Sequence, residues 1–135
     1  MASYRYTRRV AFHETDMAGI VHFANFFKFA AEAETRALDA LGLLELPSPW
    51  FWPRVHAEAD YMKPLHFNDE MEIDSSLARI GRSSLHWEYV IRVRGEVCAV
   101  VRAVCVRTGK DNVPAPYSEE ERAAFLPLMK ETSGG

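Results

Sequence analysis

A change of hydrophobic period along the chain is the feature that most constrains its fold. Between Phe26 and Leu41 the apolar residues recur at spacings of three, four and seven, which predicts one long helix with a buried face. From Arg54 to Arg94 apolar and polar residues alternate instead, which predicts successive strands. Because both apolar surfaces must be buried, we predict an α+β fold with the helix on one face of an antiparallel sheet.

Four alternating segments and one almost continuous apolar run predict five strands. We place them at residues 4–12, 54–62, 71–77, 85–94 and 97–106. Arg8 interrupts the apolar side of the first strand, and Gly95-Glu96 predicts a tight hairpin connection. The last strand is almost wholly apolar, which favours a central position with both faces covered. At a sheet edge such a strand would promote aggregation, so pairing with another subunit would be physically sensible.

Other sequence signals mark where the helices begin and end. Gly42 is a plausible end for the long helix. Ser118 and Glu121 form a capping-box pattern, which predicts a short helix near the end of the chain. A charged stripe with a spacing of four is expected on the water side of the long helix, made of Lys28, Glu32 and Arg36.

The composition of the chain argues against several classes of function. The 135 residues suffice for one domain, expected at residues 1–131, with a disordered tail at 132–135. The net charge of −3 and the scattered basic residues argue against a nucleic-acid partner. No apolar run approaches the roughly 20 residues that span a bilayer, and no apolar leader opens the chain. Cys98 and Cys105 are too far apart along one strand to form a disulfide, so we expect reduced thiols in a cytoplasmic protein.

The segment 16–26 reads D-M-A-G-I-V-H-F-A-N-F and resembles the signature of the 4-hydroxybenzoyl-CoA thioesterase family of hotdog-fold proteins. The residues that carry the resemblance are Asp16, Gly19, Ile20, Val21, Phe23 and Asn25. At lower specificity the similarity continues to about residue 116. The resemblance implies a hotdog fold, in which the sheet wraps around the central helix. It also implies a cofactor-free acyl-CoA thioesterase and homodimers joined edge to edge, which often pair into homotetramers.

Asp16 is the candidate catalytic carboxylate. Its residue type and place also suit a turn or helix-capping acid, and the resemblance favours catalysis. In the family, the acid at this position attacks the thioester carbonyl or activates water. A carboxylate can suffice because a thiol with a pKa of about 8.5 leaves readily as thiolate. Backbone N–H groups near Phe23 are expected to stabilise the developing negative charge, and Gly19 to turn the backbone or let it approach the substrate.

The histidines give a weaker signal. His22 lies close to Asp16 in sequence and is a candidate for a direct part, and His13 is a weaker one. Many relatives in the acyl-CoA thioesterase branch carry a histidine where this chain has Phe23, whereas those resembling 1,4-dihydroxy-2-naphthoyl-CoA hydrolases carry an aromatic residue there. The role of that histidine is therefore not transferred. The remaining histidines are scattered and predict no metal site: His56, His66 and His86.

Other polar residues have two interpretations each. Arg82, Ser83 and Ser84 follow Gly81 and either contact the CoA nucleotide, as the family implies, or form a polar hairpin. Some hotdog thioesterases use a helix glutamate as the catalytic acid. For Glu32 and Glu34 we favour a solvated helix face or a subunit contact, because Asp16 already fills that role. Trp50, Phe51 and Trp52 either line an acyl pocket or form a hydrophobic plug.

We therefore predict a homo-oligomeric thioester hydrolase that releases a free acid and CoA. Two alternatives stay open: a hotdog dehydratase or hydratase of enoyl thioesters, and a non-catalytic module that binds acyl thioesters. The sequence names neither the acyl group nor the exact role of Asp16. It leaves open whether the acyl carrier is CoA or a carrier protein. No membrane partner is expected.

Overall fold

The computed structural model describes residues 3–130 and contains the strands and helices given below. Within them the strands are β1 Tyr4–Arg9, β2 Arg54–Tyr61, β3 Glu70–Ile80, β4 Ser84–Val93 and β5 Glu96–Val106. The α-helices are α1 Asn25–Ala40 and α2 Glu119–Phe125. Short 3-10 turns occur at Phe12–Glu14 and Leu126–Leu128. The tail at 132–135, for which we predicted disorder, lies outside the described residues.

The strands form one antiparallel sheet in the order β1-β3-β4-β5-β2, and α1 packs on one of its faces. The helix buries Phe26, Phe29, Ala30, Ala33 and Ala37. The facing strands bury Met71, Ile73, Leu77, Trp87, Tyr89, Ile91, Ala99 and Val101. Each fully buried large apolar side chain stabilises the fold by about 1.5–3 kcal/mol, so this layer is the main source of stability. The predicted α+β architecture is confirmed.

The helix α1 ends where predicted. Gly42 takes a positive φ of 71°, and the Leu43 N–H donates to the Leu38 carbonyl at 2.8 Å, which satisfies a terminal carbonyl of the helix. Lys28, Glu32 and Arg36 lie on the outer side of the helix as expected, and Lys28 and Glu32 pair with side chains outside the helix. The Ser118–Glu121 capping box at α2 is confirmed.

Strand β1 is shorter than predicted. It ends at Arg9, and Phe12 begins a 3-10 turn with 75% of its surface exposed. The Ala11 N–H donates to the Glu14 carboxylate at 2.7 Å instead of to a strand partner. A local hydrogen bond from a backbone N–H to a side chain thus turns the chain out of the sheet.

Strand β5 is central, between β4 and β2, as expected. The expectation that both of its faces are covered is wrong. Val100 and Val104 are only half-buried on the outer face, where no further layer lies within the described part of the chain. The hairpin before β5 turns at Arg94 and Gly95, one residue earlier than predicted, with positive φ at both, as a type I′ turn requires.

Strand β2 is an edge strand with one neighbour in the sheet, β5. Its alternation is clear in the sequence, yet Val55 is 62% and Tyr61 47% exposed. Cys98 and Cys105 are buried free thiols, in agreement with the sequence. Among residues 3–130, no helix has the length and apolarity needed to cross a membrane.

Candidate active site

Asp16 lies in a tight turn before α1. Its carbonyl accepts the Gly19 N–H at 3.0 Å, and its own N–H donates to the Ile20 carbonyl at 2.8 Å. The carboxylate Oδ1 accepts the Ala18 N–H at 2.8 Å. Gly19 has φ of 81°, the left-handed conformation that glycine adopts without strain. The Asp16 side chain is exposed, and its Oδ2 makes no hydrogen bond within residues 3–130.

The chain then runs back along itself into α1. Thr15 and Val21 form an isolated β-bridge, and the Val21 N–H donates to the Leu65 carbonyl at 2.8 Å. The N–H of Phe23 has no hydrogen-bond partner in the described part of the chain. Since the N-terminal end of a helix carries partial positive charge, this N–H is available to an anion at the start of α1.

His22 does not form an acid–histidine pair here. Its ring is exposed and stacks on Phe23 at a centroid distance of 4.7 Å, and Nδ1 accepts the Ala24 N–H at 3.3 Å. No hydrogen bond joins His22 to Asp16 within the described residues. His13 is exposed on the preceding 3-10 turn. Asp16, Gly19, His22 and Phe23 thus lie in the one loop that leads into α1. Neither His13 nor His22 is hydrogen-bonded to Asp16 within the described residues.

A buried acid behind this loop escaped the sequence analysis. Glu14 is 1% exposed and accepts hydrogen bonds from Arg8 and, at 3.0 Å, from Lys28. Burial alone would raise the pKa of its carboxyl group, but the Ala11 N–H, Lys28 and Arg8 together hold that pKa below its usual value. The available signal was Arg8, a charge on the otherwise apolar side of β1.

The start of α1 is also joined to the far end of β2. The Tyr61 hydroxyl donates to the Phe23 carbonyl at 3.1 Å, and the Tyr61 ring contacts Phe26 edge to face at 4.9 Å. In the sheet register Tyr61 pairs with Ala99, whereas Arg54, at the other end of β2, pairs with Cys105. The Asp16 loop therefore lies at the Tyr61 end of the sheet.

An open apolar pocket of about 660 Å³ occupies the opposite end, between the C-terminal half of α1, the proline-rich connector and α2. Its walls include Leu38, Leu44, Trp50, Trp52, Trp87 and Phe125. A volume of this size is typical of sites for small organic ligands. The connector tryptophans thus line a cavity, and Trp52 also packs against the core.

Glu34 lies at this pocket and is not on a solvated face, so that interpretation is wrong. Its side chain is 14% exposed and binds the Arg54 guanidinium at 2.6 and 2.7 Å. The Tyr89 hydroxyl also donates to it. Burial, together with the negative charge of Glu34, raises the pKa of the Tyr89 hydroxyl. Glu34 is therefore a paired charge.

On the other side of the pocket, Arg107 stacks on Trp50 at 4.1 Å and pairs with Glu121. Hydrogen bonds from Arg107 and from the Ser118 N–H lower the pKa of Glu121 to about 2. Because Glu34 and Arg107 are both neutralised by partners, these two side chains present little net charge to a ligand.

The proposed CoA contacts lie far from Asp16 within one chain. Arg82 is exposed at the β3–β4 connection, and its carbonyl accepts the Tyr117 N–H at 2.9 Å. Ser83 accepts the Arg107 N–H at 2.8 Å, and Ser84 Oγ lies 3.3 Å from His86 Nε2. These residues share the pocket end of the sheet, so the structure does not bring them to Asp16 of the same chain.

A comparison with known families identifies the fold. The model of the thioesterase-like superfamily matches residues 10–125. The chain belongs to this superfamily. The 4-hydroxybenzoyl-CoA thioesterase resemblance, the hotdog fold and the class of enzyme, a thioester hydrolase, are thereby confirmed.

Individual relatives agree with this hotdog assignment. A 1,4-dihydroxy-2-naphthoyl-CoA hydrolase from Synechococcus elongatus is 37% identical over 95 residues, covering 66% of this chain and 69% of that protein. The solved gentisyl-coenzyme A thioesterase BH1999 has a TM-score of 0.83 at 29% identity, covering 90% and 99%. Slr0204, a 1,4-dihydroxy-2-naphthoyl-CoA thioesterase from Synechocystis, has a TM-score of 0.85 at 22% identity, covering 93% and 97%, and shows the shared fold.

Proposed function

We propose that this hotdog thioesterase hydrolyses an aromatic acyl-CoA to a free carboxylic acid and CoA, with Asp16 as nucleophile or general base. The observation that carries the proposal is the Asp16 loop, which holds a carboxylate oxygen and, at its other end before α1, the Phe23 N–H, both without a hydrogen-bond partner within residues 3–130. The aromatic acyl group is supported by the names of the relatives and by the tryptophans of the pocket.

Two routes fit the Asp16 carboxylate. As nucleophile it adds to the thioester carbonyl, the C–S bond breaks, and water then hydrolyses the mixed anhydride and restores the carboxylate. As general base it takes a proton from water, whose hydroxide adds to the same carbon before the thiolate leaves. In both routes the CoA thiolate ends protonated, and the Phe23 N–H donates to the oxyanion. In this arrangement His22 takes part in neither route. It stays a candidate for contact with the substrate.

The acyl channel is proposed to lie at a subunit boundary. The free edge of β2 carries Val55 and Tyr61, with Phe51 and Met62 on its flanks, and these four side chains are between 47% and 62% exposed. An edge with such apolar residues is suited to pair with the same edge of a second copy.

Antiparallel pairing of β2 with its copy would give a continuous sheet with both α1 helices on the same face. In that arrangement the Arg54 end of one strand lies beside the Tyr61 end of the other. The apolar pocket of one subunit is thereby placed next to Asp16 of its partner, even though about 20 Å of strand separates them within one chain. Further pairing of dimers into a tetramer, and a cytoplasmic location, stay predictions.

The CoA nucleotide is proposed to contact Arg82 with Ser83 or Ser84. The planar guanidinium of arginine can pair with two phosphate oxygens, and Arg82 is exposed and makes no side-chain hydrogen bond within the described residues. The absence of a side chain at Gly81 leaves room for Ser84, because a Cβ there would lie 2.1 Å from Ser84 Oγ.

The decisive experiment is a hydrolysis screen over aromatic, short, medium and long acyl-CoAs, followed by Asp16→Asn. We expect aromatic substrates to be turned over best and Asp16→Asn to lower kcat at least ~100-fold, the scale of losing a nucleophile or general base. Folding and oligomeric state should not change, because Asp16 is exposed. Near-wild-type turnover by the pure variant would refute the mechanism. Thioester binding without release of free thiol would instead favour a binding module. Hydration of an enoyl thioester would favour a hydratase.

A further inference from the structure

The ionic cluster of Glu14 has no part in the chemistry described above. Glu14 is almost completely buried, two residues before Asp16, and its carboxylate accepts three hydrogen bonds. The donors are the Arg8 guanidinium from β1, the Lys28 ammonium at 3.0 Å from α1, and the Ala11 N–H at 2.7 Å from the connecting turn. One side chain thus joins the strand before the Asp16 loop to the helix after it.

The backbone of Glu14 fixes the other end of the same loop. Its carbonyl accepts the His22 N–H at 3.1 Å and the Asn25 side-chain amide at 2.9 Å. The loop that carries Asp16 therefore begins at Glu14 and returns to it at His22. A shift of Glu14 would move Asp16 relative to the Phe23 N–H, the two groups that the proposed mechanism places on either side of the thioester carbonyl.

Apolar packing alone would not give this control. Removing a carboxylate from water is costly, and well-packed apolar side chains often stabilise a fold as well as a buried ion pair does. What the hydrogen-bonded carboxylate adds is direction, because Arg8, Lys28 and the Ala11 N–H approach it from three separate parts of the chain. Misplacement of a reacting group by about 1 Å can cost 100-fold in rate, so such directional support matters at this position.

We propose that Glu14 is a positioning residue that holds the Asp16 carboxylate at the correct place relative to the Phe23 N–H. This inference rests on the proposed catalytic role of Asp16. Glu14 does not touch substrate. It acts through the geometry of the loop, with Lys28 and Arg8 as its partners on the two flanking elements.

Glu32 offers a matched control. It pairs with the same guanidinium, Arg8, at 2.7 Å, but it lies further along α1 and makes no hydrogen bond to the Asp16 loop within residues 3–130. Glu14→Gln and Glu32→Gln each remove one negative charge from Arg8 with almost no change of volume. Only the first variant weakens the side-chain contacts that hold the loop, and the hydrogen bonds to the Glu14 backbone carbonyl remain in both variants.

The experiment measures kcat and KM for these variants with the best acyl-CoA from the screen. We expect Glu14→Gln to lower kcat at least ~10-fold, with KM changed less than about twofold, because ground-state binding of CoA does not involve the loop geometry. Glu32→Gln should keep wild-type kcat. A normal kcat for Glu14→Gln, or an equal loss in Glu32→Gln, would overturn the proposal.

A double-mutant cycle separates positioning from a general loss of structure. If Glu14 acts through Asp16, Glu14→Gln should lower kcat less than about twofold further in an Asp16→Asn background. Independent multiplication of the two losses would assign Glu14 a structural role and refute positioning. If Asp16→Asn itself keeps wild-type turnover, the catalytic proposal fails and positioning fails with it. If Asp16→Asn is impaired and Glu14→Gln is not, positioning alone fails.

Lys28→Met keeps the proposal testable if Glu14→Gln does not fold. The Lys28 side chain is 46% exposed, so its replacement should leave the core intact. It removes one of the three donors to Glu14, and we expect kcat to fall about threefold with KM unchanged. A wild-type kcat for a folded Lys28→Met would count against the proposal.

Discussion

At the scale of single residues, substitutions of Gly19 distinguish a role in relieving backbone strain from a role in letting the substrate approach. A Cβ at Gly19 would meet no atom within 4 Å, so the cost of Gly19→Ala comes from its φ of 81°. We expect Gly19→Ala to destabilise the protein by about 1–2 kcal/mol and Gly19→Asn by much less, because asparagine tolerates this conformation.

Urea unfolding and kcat/KM, measured on both Gly19 variants, test this pair of roles. If the glycine also lets the substrate approach the backbone, Gly19→Asn should be nearly as stable as wild type yet lower in kcat/KM. Turnover that simply follows stability in both variants would show that the residue serves the turn alone.

The sequence predicts single residues well only where local chemistry decides their conformation. Gly42 at the helix end and Ser118 at the α2 N-terminus were identified because a cap depends on neighbours in the chain. The partners of Glu14 and Glu34 were not, because their cations come from other elements of the fold. A charge at a position expected to be apolar, such as Arg8, was the one local sign of such a partner.

At the scale of elements, the β3–β4 connection tests how CoA is bound. Arg82→Ala should raise KM for acyl-CoA and leave kcat nearly unchanged, because contacts to the nucleotide are equal in the ground and transition states. The same variant should act normally on the acyl group carried by N-acetylcysteamine. The wild-type KM should also rise with salt, since an exposed phosphate contact is screened.

Steady-state kinetics with the two thioesters distinguish the outcomes. If Arg82→Ala damages turnover of both substrates equally, the residue supports the fold or the chemical site. If neither changes, the connection is only a polar hairpin.

Element types were predicted correctly from periodicity, whereas their ends and surroundings were not. The Glu14 carboxylate ends β1 early, and positive φ at both Arg94 and Gly95 moves the hairpin by one residue. The apolar outer face of β5 reads in sequence as a covered face, yet the chain supplies no second layer there among residues 3–130. A single sequence cannot show whether an apolar face is buried by its own chain or by another.

At the scale of the whole molecule, mixing of variants tests the shared site. Thr35 lines the pocket from α1, and Thr35→Trp should partly fill it and lower kcat/KM at least ~10-fold. Co-expression of Asp16→Asn with Thr35→Trp should restore about a quarter of wild-type activity, because half of the subunit pairs are mixed and each mixed pair contains one intact site. Each variant expressed alone is the control.

Absence of restored activity in isolated mixed oligomers would place pocket and acid in the same subunit. Sedimentation at micromolar concentration must first show that the protein forms an oligomer. A species of only 15.4 kDa, the mass of one chain, would exclude the shared site altogether.

The strand order has a consequence for how the chain acquires its structure. Strands β3, β4 and β5 are consecutive and adjacent, whereas the two outer strands pair with partners far along the chain, Tyr4 with Ser75 and Arg54 with Cys105. Closing those long loops costs entropy before any contact compensates for it. The three-stranded meander should therefore form early, with β1 and β2 added last. In native-state hydrogen exchange its amides should be protected longest, and those of β1, the edge strand outside the proposed subunit contact, should open first.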